Sequence, residues 1–543
     1  MPRLRRSLFF APLVVAVCSI LGGWYGYPAT AAPADTPGEL PVSKDVDNFT
    51  KAFSVVEQNF ADAANPDKEI YKGAIPGMLR TLDPHSNFFD PKDFQLLREE
   101  QKSRYYGVGM TVQFREGKTV VTAPFPGAPA YKAGLRPGDA IIKVNEKSTD
   151  GLNTTEVADL LKGPRGTQVK IVVAREGTPD PITFMVTRDQ IDRKSVPDAF
   201  WVKPGIAYVK ILSFTENTSS ELDANLRRLG EANIKDLILD LRGNPGGLLN
   251  EGVAVAGHFL PKGSLIVSHH GRTSAEKPYY ARDGNHGRDY PMVVLVDPRS
   301  ASAAEIVSGA LQDHDRAWVL GETTFGKGLV QTVYPLAGNT GLALTTAHFY
   351  TPSGRLIQRD YTNQSFYDYY FHKDGNERNP LDVKMTDSGR TVYGGGGITP
   401  DEKFTPAKLD RFEGELYRTG IFNFTRTYFA THSANLAKSW LPDDQFLSEF
   451  HAYLLKHDYK FTEADFLKDQ DWIKRYLAQA IYVYAFNVDE SEKVFAQLDP
   501  EVAKAIDSLP KAETLLQSAK RIIAQRMSSE QQAAAGAAAA AHR

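Results

Sequence analysis

The 543-residue sequence contains a single cysteine, Cys18. It therefore forms no disulfide within the chain, even in an oxidising compartment that would permit one. An excess of basic residues is also missing, because 63 Lys and Arg are set against 66 Asp and Glu, for a net charge of −3. Nucleic-acid binding needs a strongly basic face, so this composition argues against it. Hydrophobic residues make up 42% of the chain, which is ample for packed cores, and the length indicates three or four domains.

Residues 1–31 have the pattern of an export signal. Three arginines precede an apolar run, and Ala29-Thr-Ala31 offers a small-x-small cleavage site. This pattern favours export with cleavage, to the periplasm or the outer face of the cytoplasmic membrane. The alternative is a retained N-terminal membrane anchor, since residues 7–27 carry no charge. Both interpretations predict that the body of the chain lies outside the cytoplasm.

A serine lies on a predicted strand-to-helix turn. The apolar run Met292–Val296 predicts a buried strand, and Ile306, Ala310 and Leu311 follow at helical spacing. Ser302 lies between them, where a hydroxyl is exposed and neighbouring backbone N–H groups can form an oxyanion hole. No histidine lies within ten residues of this serine, and no Gly-x-Ser-x-Gly elbow surrounds it. A histidine base therefore has no local support, and the plain alternative is a serine that only caps the helix.

Lys327, between two glycines, allows two chemical interpretations. Gly321–Lys327 fits the start of a phosphate-binding P-loop, but Gly328 replaces the required Ser or Thr and a strand-like run follows instead of a helix. In the second interpretation, neutral Lys327 takes the proton of Ser302. Its pKa must then fall from about 10.4 to about 7, which corresponds to roughly 4–5 kcal/mol of desolvation or positive field. Gln331 is placed to orient the amine, and the plain alternative is a solvated turn lysine.

These residues resemble the catalytic set of the C-terminal processing peptidases, or tail-specific proteases. The resemblance assigns the nucleophile to Ser302, the base to Lys327, 25 residues later, and the third member to Gln331. It implies proteolysis without a metal or another cofactor. The adjacent pair His269-His270 agrees with the absence of a metal site, because neighbouring side chains on a strand point apart.

A glycine-rich turn, 242–247, follows a predicted buried strand and precedes a predicted helix. Glycine there lets the backbone approach a ligand closely, although an ordinary turn would look the same. The resemblance implies that Gly246 or Gly247 supplies one oxyanion donor and Ala303 the other. Strands and helices alternate through residues 189–405, which indicates an α/β core. The resemblance implies a crotonase/ClpP-like fold for that core.

Residues 101–188 resemble a PDZ domain. The stretch Tyr106–Met110 is similar to the glycine loop that binds a free carboxylate through backbone N–H groups, beside a strand edge that pairs with the peptide. Later turns, a groove helix at Thr155–Lys162 and a late strand follow in PDZ order, and the alternative is a small β-barrel with ordinary turns. In many family members an arginine that senses the bound state stands where this chain has Lys162. The predicted peptide-binding residues are Gly107, Val108, Gly109 and Met110 in the loop, and Val157, Leu161 and Lys162 on the helix.

The remaining segments flank these two domains. Residues 44–100 and 406–528 are predicted to be helical, from apolar residues at intervals of three and four. The polar, tyrosine-rich segment 359–393 is predicted to be a surface insertion, and the alanine-rich residues 529–543 a disordered tail. His85, in Leu-Asp-Pro-His-Ser, is predicted to belong to a turn rather than to the catalytic set.

The sequence thus predicts a multidomain α+β protein with a helical N-terminal region, a PDZ domain, a crotonase/ClpP-like α/β catalytic core and a helical C-terminal extension. The predicted function is an exported serine endopeptidase whose partners are the C-termini of proteins or peptides. Formation of a homo-oligomer and docking of an adaptor protein both stay open. The competing hypotheses are a PDZ scaffold with an inactive core and a nucleotide-binding enzyme.

Overall fold

The computed structural model describes residues 44–197, 199–362, 364–371 and 382–541. The predicted export segment, 1–31, lies outside the described residues. Within the ranges described, no helix is both long enough and apolar enough to cross a membrane.

The chain divides into two compact units after Pro76. The first unit contains helix α1 (Lys44–Asn59), the short helix α2 (Pro66–Lys68) and a π-helix (Glu69–Ala74). The three-and-four spacing of aromatic and apolar residues predicts α1, and the structure confirms that helix. All of its side chains are at least partly exposed.

Helix α3 (Ile75–Arg80) leads into the second unit, followed by strand β1 (Asn87–Phe89) and helix α4 (Pro91–Gln101). The start of α4 follows from its sequence. The Asp90 carboxylate accepts the N–H of Asp93 at 2.8 Å, and a proline occupies the first helical position.

A small β-rich domain follows, in the region predicted to be a PDZ domain. Its elements are β2 (Arg104–Gly107), β3 (Met110–Arg115), β4 (Lys118–Pro124), α5 (Pro129–Ala133), β5 (Ala140–Val144), β6 (Lys147–Ser148), α6 (Thr154–Leu161), β7 (Gln168–Ala174), β8 (Ile182–Thr187) and β9 (Asp189–Asp192). The main sheet has the order β3-β4-β5-β7-β8, with β6 beside β5, and β2 pairs with β9. Strand β3 is therefore an edge strand of this sheet.

The next region contains two further sheets, of six and five strands. Its elements are β10 (Ala199–Lys203), β11 (Ile206–Lys210), α7 (Thr218–Leu229), β12 (Asp236–Asp240), α8 (Leu249–Gly257), β13 (Leu265–His270), β14 (Lys277–Tyr280), β15 (Met292–Val296), α9 (Ala303–Asp313), β16 (Trp318–Gly321), β17 (Leu329–Pro335), β18 (Gly341–Tyr350), α10 (Phe366–Phe371), β19 (Val383–Met385), β20 (Thr391–Tyr393) and β21 (Glu402–Lys403). One sheet has the order β10-β11-β12-β15-β16-β21 and is parallel except for β10. The other is antiparallel, with the order β1-β18-β13-β14 and β17 beside β18.

The parallel sheet is covered on both faces, which explains its continuous apolar strands. Every residue of β15 and of α9 is buried. Helices α7, α8 and α9 pack on one face. Because parallel strands end at the same edge, the turns after β12, β15 and β16 meet there.

A helical C-terminal region completes the second unit. It consists of α11 (Arg411–Glu415), a π-helix (Leu416–Gly420), α12 (Ile421–Thr431), α13 (Asp444–Lys456), α14 (Glu463–Lys468), α15 (Gln470–Ala485), α16 (Val488–Gln497) and α17 (Pro500–Ala541). A capping box begins α14, because Thr462 and Asp465 each accept the other's backbone N–H, at 3.2 and 2.9 Å.

Helix α17 packs on the second face of the parallel sheet. Its buried Val502, Ala505 and Leu509 contact sheet residues that include Ile238 and Val293. The helix continues to Ala541, so the backbone there is helical, where the sequence predicts disorder over 529–543. The high helix propensity of alanine explains this correction.

Candidate active site

Ser302 is the N-cap residue of α9, in the turn that follows β15. Its φ is +54° and its ψ is −114°. Residues with a side chain adopt such left-handed conformations at a cost of about 1–3 kcal/mol, and only where the surrounding structure enforces them. The side chain is half-buried. A strained turn that leads into a helix is the setting predicted for a nucleophile.

The carboxylate of Glu305 holds the serine turn and the lysine loop together. It is completely buried. One oxygen, Oε2, accepts the N–H of Ser302 at 2.8 Å and that of Lys327 at 2.9 Å. The other, Oε1, accepts the N–H of Gly326 at 2.7 Å and the hydroxyl of Thr324 at 2.5 Å. The two residues predicted to form the dyad therefore have their backbones fixed to the same oxygen.

Sequence reasoning missed Glu305, although a signal for it exists. Ser302 and Glu305 form the Ser-x-x-Glu pattern of a capping box, in which the glutamate binds the N–H of the cap residue. Burial raises the pKa of Glu305, and the hydrogen bonds that it accepts oppose this effect.

The environment of Lys327 favours its neutral form. Burial lowers the pKa of Lys327, and the negative charges of Glu305 and Asp83 oppose the shift. Among the described residues, none forms an ion pair or a hydrogen bond with its ammonium group. The direction of this shift is the one that a lysine base requires.

The two glycines beside Lys327 are needed for close backbone contacts. A Cβ on Gly326, whose φ is +85°, would lie 2.9 Å from the Cβ of Arg359. A Cβ on Gly328 would lie 2.9 Å from the backbone nitrogen of Gln358. Strand β17 follows this loop, so the phosphate-binding interpretation lacks the helix that it requires.

The glycine-rich turn lies against the serine. Asn244 is completely buried, and its side chain bonds the carbonyl of Ile211 and the N–H of Gly246, both at 2.8 Å. Its own carbonyl accepts the N–H of Ala301 at 2.9 Å. A Cβ on Gly246 would lie 2.7 Å from that of Ser302, so only glycine fits there.

The predicted oxyanion donors are not equivalent. The N–H of Gly246 already donates to Asn244. In the described part of the chain, the N–H groups of Gly247 and Ala303 donate to no acceptor. Of the two glycines that the sequence left open, Gly247 is therefore the better candidate.

Gln331 lies on β17, and its Nε2 is 3.4 Å from the Oγ1 of Thr345. No hydrogen bond joins its amide to Lys327 within the described residues. The predicted role of Gln331 in orienting the amine stays a prediction.

The Asp83–Ser86 segment forms the predicted turn. Asp83 accepts the N–H groups of His85 and Ser86 at 2.7 and 2.8 Å, and the hydroxyl of Ser86 at 2.6 Å. The structure also brings His85 close to the site. Burial and the charge of Lys327 lower the pKa of His85 to about 3, although the charge of Asp83 acts the other way. His85 is therefore neutral at physiological pH.

Comparison with known proteins identifies the family of this chain. A model of peptidase family S41 matches residues 205–364, and a PDZ-domain model matches residues 120–175. A carboxy-terminal-processing protease of Bartonella bacilliformis is 35% identical over 359 residues, which is 65% of this chain and 80% of that protein. The chain belongs to the carboxy-terminal processing protease family.

Other members of the family show a similar relationship. The carboxy-terminal processing protease CtpB of Bacillus subtilis is 32% identical over 336 residues, which is 61% of this chain and 70% of that protein. Among solved structures, a photosystem II D1 C-terminal processing protease is 29% identical, with 67% of this chain and 88% of that chain covered and a TM-score of 0.34.

In this family member, the PDZ domain has a groove of about 350 Å³. The cavity is lined by Leu96, Glu99, Glu100, Tyr105, Gly107, Val108, Met110, Thr111, Val112, Phe125, Ala158, Leu161, Lys162 and Arg193. Most of the predicted peptide-binding residues line it. Val157, however, is completely buried in the domain core, and Gly109 serves a tight turn with φ +76°.

Helix α4 also lines this groove, from outside the predicted boundaries of the PDZ domain. Its Glu99 lies 3.5 Å from the ammonium of Lys162, and Leu96 adds an apolar side chain. Sequence reasoning missed this contribution, because no local pattern relates α4 to the groove.

Proposed function

We propose that this protein is an exported serine endopeptidase with a Ser302–Lys327 dyad, which cleaves proteins selected by their C-terminal tails. We propose a crotonase/ClpP-like fold for its core. One observation carries the proposal. The N–H groups of Ser302 and Lys327 converge on the same oxygen of buried Glu305, while burial lowers the pKa of Lys327.

The proposed reaction begins when neutral Lys327 takes the hydroxyl proton of Ser302. The serine Oγ attacks the scissile carbonyl, and the N–H groups of Ala303 and Gly247 stabilise the tetrahedral oxyanion. The lysine ammonium then gives its proton to the leaving amine. Water resolves the acyl-enzyme by the same route, with the lysine again as base, and Gln331 orients the amine.

Substrate selection is assigned to the PDZ groove. The loop 107–110 would bind the terminal carboxylate through backbone N–H groups, and the edge strand β3 would pair with the tail. Lys162 adds a positive charge at the groove, while Val108 and Met110 favour an apolar last residue. Neither a metal nor another cofactor takes part in the proposed reaction.

Three substitutions test the dyad. Ser302→Ala and Lys327→Ala should each lower kcat by at least about 1000-fold, because nucleophile and base act as one unit. Lys327→Arg should be equally inactive, because a guanidinium does not lose its proton at working pH. Mass spectrometry of an unfolded protein substrate measures the cleavage, and circular dichroism checks the fold.

The pH dependence of kcat/KM also tests whether Lys327 is the base. The base must be neutral, so kcat/KM of the wild type should rise as the pH rises through the lowered pKa of Lys327. Measurable turnover by folded Lys327→Arg would refute lysine as the base.

A further inference from the structure

The segment predicted to be a surface insertion contributes buried residues near the dyad. Tyr369, on helix α10, is only 1% exposed, and Arg359 is 9% exposed. The prediction of a surface position is therefore wrong for these two residues. The sequence of the segment is polar, but aromatic side chains bring it into contact with the protein interior.

A chain of hydrogen bonds runs from this segment to His85. Tyr370 donates its proton to the carbonyl of Pro84 at 3.0 Å, so the Nδ1 of His85, 3.1 Å from the Tyr370 hydroxyl, must be the donor there. The Nε2 of His85 is then an acceptor, and Tyr369 donates to it at 2.9 Å. Gln358 in turn donates to the Tyr369 hydroxyl at 3.3 Å. These contacts fix the neutral form and the tautomer of His85.

Gln358, just before this segment, and Arg359, its first residue, hold both sides of the lysine loop. The side-chain oxygen of Gln358 accepts the N–H of Gly328 at 2.8 Å. The N–H of Arg359 donates to the carbonyl of Gly326 at 2.9 Å. Together with Glu305 on the opposite side, these bonds fix the backbone before and after Lys327.

Aromatic side chains also pack beside the loop of Lys327. The guanidinium of Arg359 lies 4.6 Å from the ring centre of Phe325 and 4.4 Å from that of Tyr369, and it also binds the carbonyl of Tyr369. The rings of Phe325 and Tyr369 meet edge to face at 5.6 Å, and His85 and Tyr369 do so at 5.4 Å. Packed rings at this position exclude water from the wall of the loop.

We propose that Tyr369 is a positioning residue, which fixes the loop of Lys327 through Gln358 and packs with His85 and Phe325 to keep water from it. This inference rests on the proposed dyad. Tyr369 acts on the lysine only through its neighbours. The charged and titratable groups around the lysine are Glu305 on α9, Asp83 and His85 in the turn after α3, and Arg359 after β18.

The test replaces one hydroxyl. Tyr369→Phe keeps the ring but removes the donor to His85 and the acceptor for Gln358. The matched control is Tyr367→Phe, the same change on the same helix at a side chain that is 60% exposed. Two quantities are measured for each variant: kcat and KM of peptide cleavage across pH, and the pKa of Lys327 from the pH dependence of its acetylation, followed by mass spectrometry.

In Tyr369→Phe, kcat should fall about ten-fold with little change in KM, as expected for the loss of buried hydrogen bonds that position a catalytic group. Without the hydroxyl, the loop should be held less firmly and water should reach Lys327 beside the remaining ring, so the pKa of Lys327 and the rising limb of the pH profile should both move to higher pH. Tyr367→Phe should leave both quantities unchanged.

An unchanged lysine pKa in folded Tyr369→Phe, or a loss of activity matched by the control, would overturn the inference. The labelling measurement does not depend on catalysis. Turnover by Lys327→Ala would show that the proposed dyad is wrong. The acetylation of Lys327 in Tyr369→Phe would still decide whether Tyr369 positions the loop.

Discussion

Four donors converge on the carboxylate of Glu305, which no solvent reaches. Three of the donors are backbone N–H groups, so this side chain sets the path of the chain at Ser302 and through the loop of Lys327. A buried carboxylate without such partners would be strongly unfavourable. The geometry of the proposed dyad therefore depends on a residue that has no part in the proposed chemistry.

Glu305→Gln is expected to reduce catalysis without preventing folding. The amide keeps one acceptor oxygen but directs an NH2 group at donors, so at least one backbone N–H loses its partner. The expected result is a fall in kcat of roughly 10- to 100-fold, the equivalent of about 1–3 kcal/mol. Steady-state kinetics on a peptide substrate measure it.

Glu322→Gln provides the matched control, since Glu322 is half-exposed on the segment that leads to Lys327. Its kcat should stay within about two-fold of the wild type, as is usual for surface substitutions. Wild-type kcat in a folded Glu305→Gln variant would show that the carboxylate is not needed.

At the scale of single residues, local patterns in the sequence mark Ser302, Lys327 and, through a capping box, Glu305, but not the hydrogen bonds of the glycine-rich turn. Ser302 and Lys327 are recognisable because a strand-to-helix turn and a pair of glycines mark them. Glu305 follows from the spacing of a capping box. The hydrogen bond from the Gly246 N–H to the Asn244 side chain depends on how the turn folds. The spacing of residues in the sequence does not define that fold.

Among the elements, α17 contacts residues that lie far from it in the sequence. Its Glu501 accepts a hydrogen bond from Arg242 at 2.7 Å, across 259 residues, and Asp499 lies 3.1 Å from the same guanidinium. Arg242 also binds Asp240, whose other partner is the hydroxyl of Tyr208 at 2.6 Å. The C-terminal region is thus tied to the first residue of the glycine-rich turn.

Glu501 should make stability depend on pH. Burial raises its pKa to about 7, although the charge of Arg242 opposes the shift. A carboxyl with a raised pKa in the folded state stabilises the protein below its unfolded pKa, near 4.3, and this contribution is lost as the pH rises to about 7. The unfolding free energy of the wild type, relative to Glu501→Gln, should therefore fall by up to about 3 kcal/mol over that interval.

Urea unfolding of both proteins at pH 5 and pH 8 measures this difference. Glu513→Gln is the control, because Glu513 is exposed on the same helix. It should show no pH-dependent difference from the wild type. The account of Arg242 and Glu501 fails if the Glu501→Gln difference is the same at both pH values.

Sequence patterns predict where a helix forms better than they predict what that helix packs against. The apolar spacing of Ile473 and Leu477 correctly indicates a helical face, which the structure buries on α15. Phe466, which the same spacing would place on that face, is buried on the preceding helix α14. The same type of pattern does not reveal that α17 covers the parallel sheet, nor that α10 reaches His85. Both contacts join segments that are far apart in the chain, where no periodicity relates one partner to the other.

In the second unit as a whole, helix α4 touches both the peptide groove and the β17–β18 hairpin. Glu99 pairs with Lys162 in the groove, while Arg98 donates to Asn339 at the tip of the hairpin at 3.3 Å. The ring of buried Phe94 packs on Gly341, at the start of β18. The hairpin begins two residues after Lys327, so α4 contacts both the groove and the element that follows the proposed base.

The resemblance to a known family predicts the order of the PDZ domain and the core, but not the part that α4 plays between them. The position of α4 depends on how the domains pack together, and the motifs of each separate domain do not predict that packing. The groove and the catalytic residues are proposed to act together in one molecule. Binding of a tail in the groove should present the upstream chain to Ser302.

The most direct test compares two peptides that differ only at the C-terminus, one with a free acid and one with an amide, each ending in an apolar residue. Charge-assisted hydrogen bonds contribute roughly 1.5–3 kcal/mol each, so amidation should lower kcat/KM by ten-fold or more. Ser302→Ala should cleave neither peptide. Equal cleavage of the acid and the amide by the wild type would contradict selection of substrates by their tails.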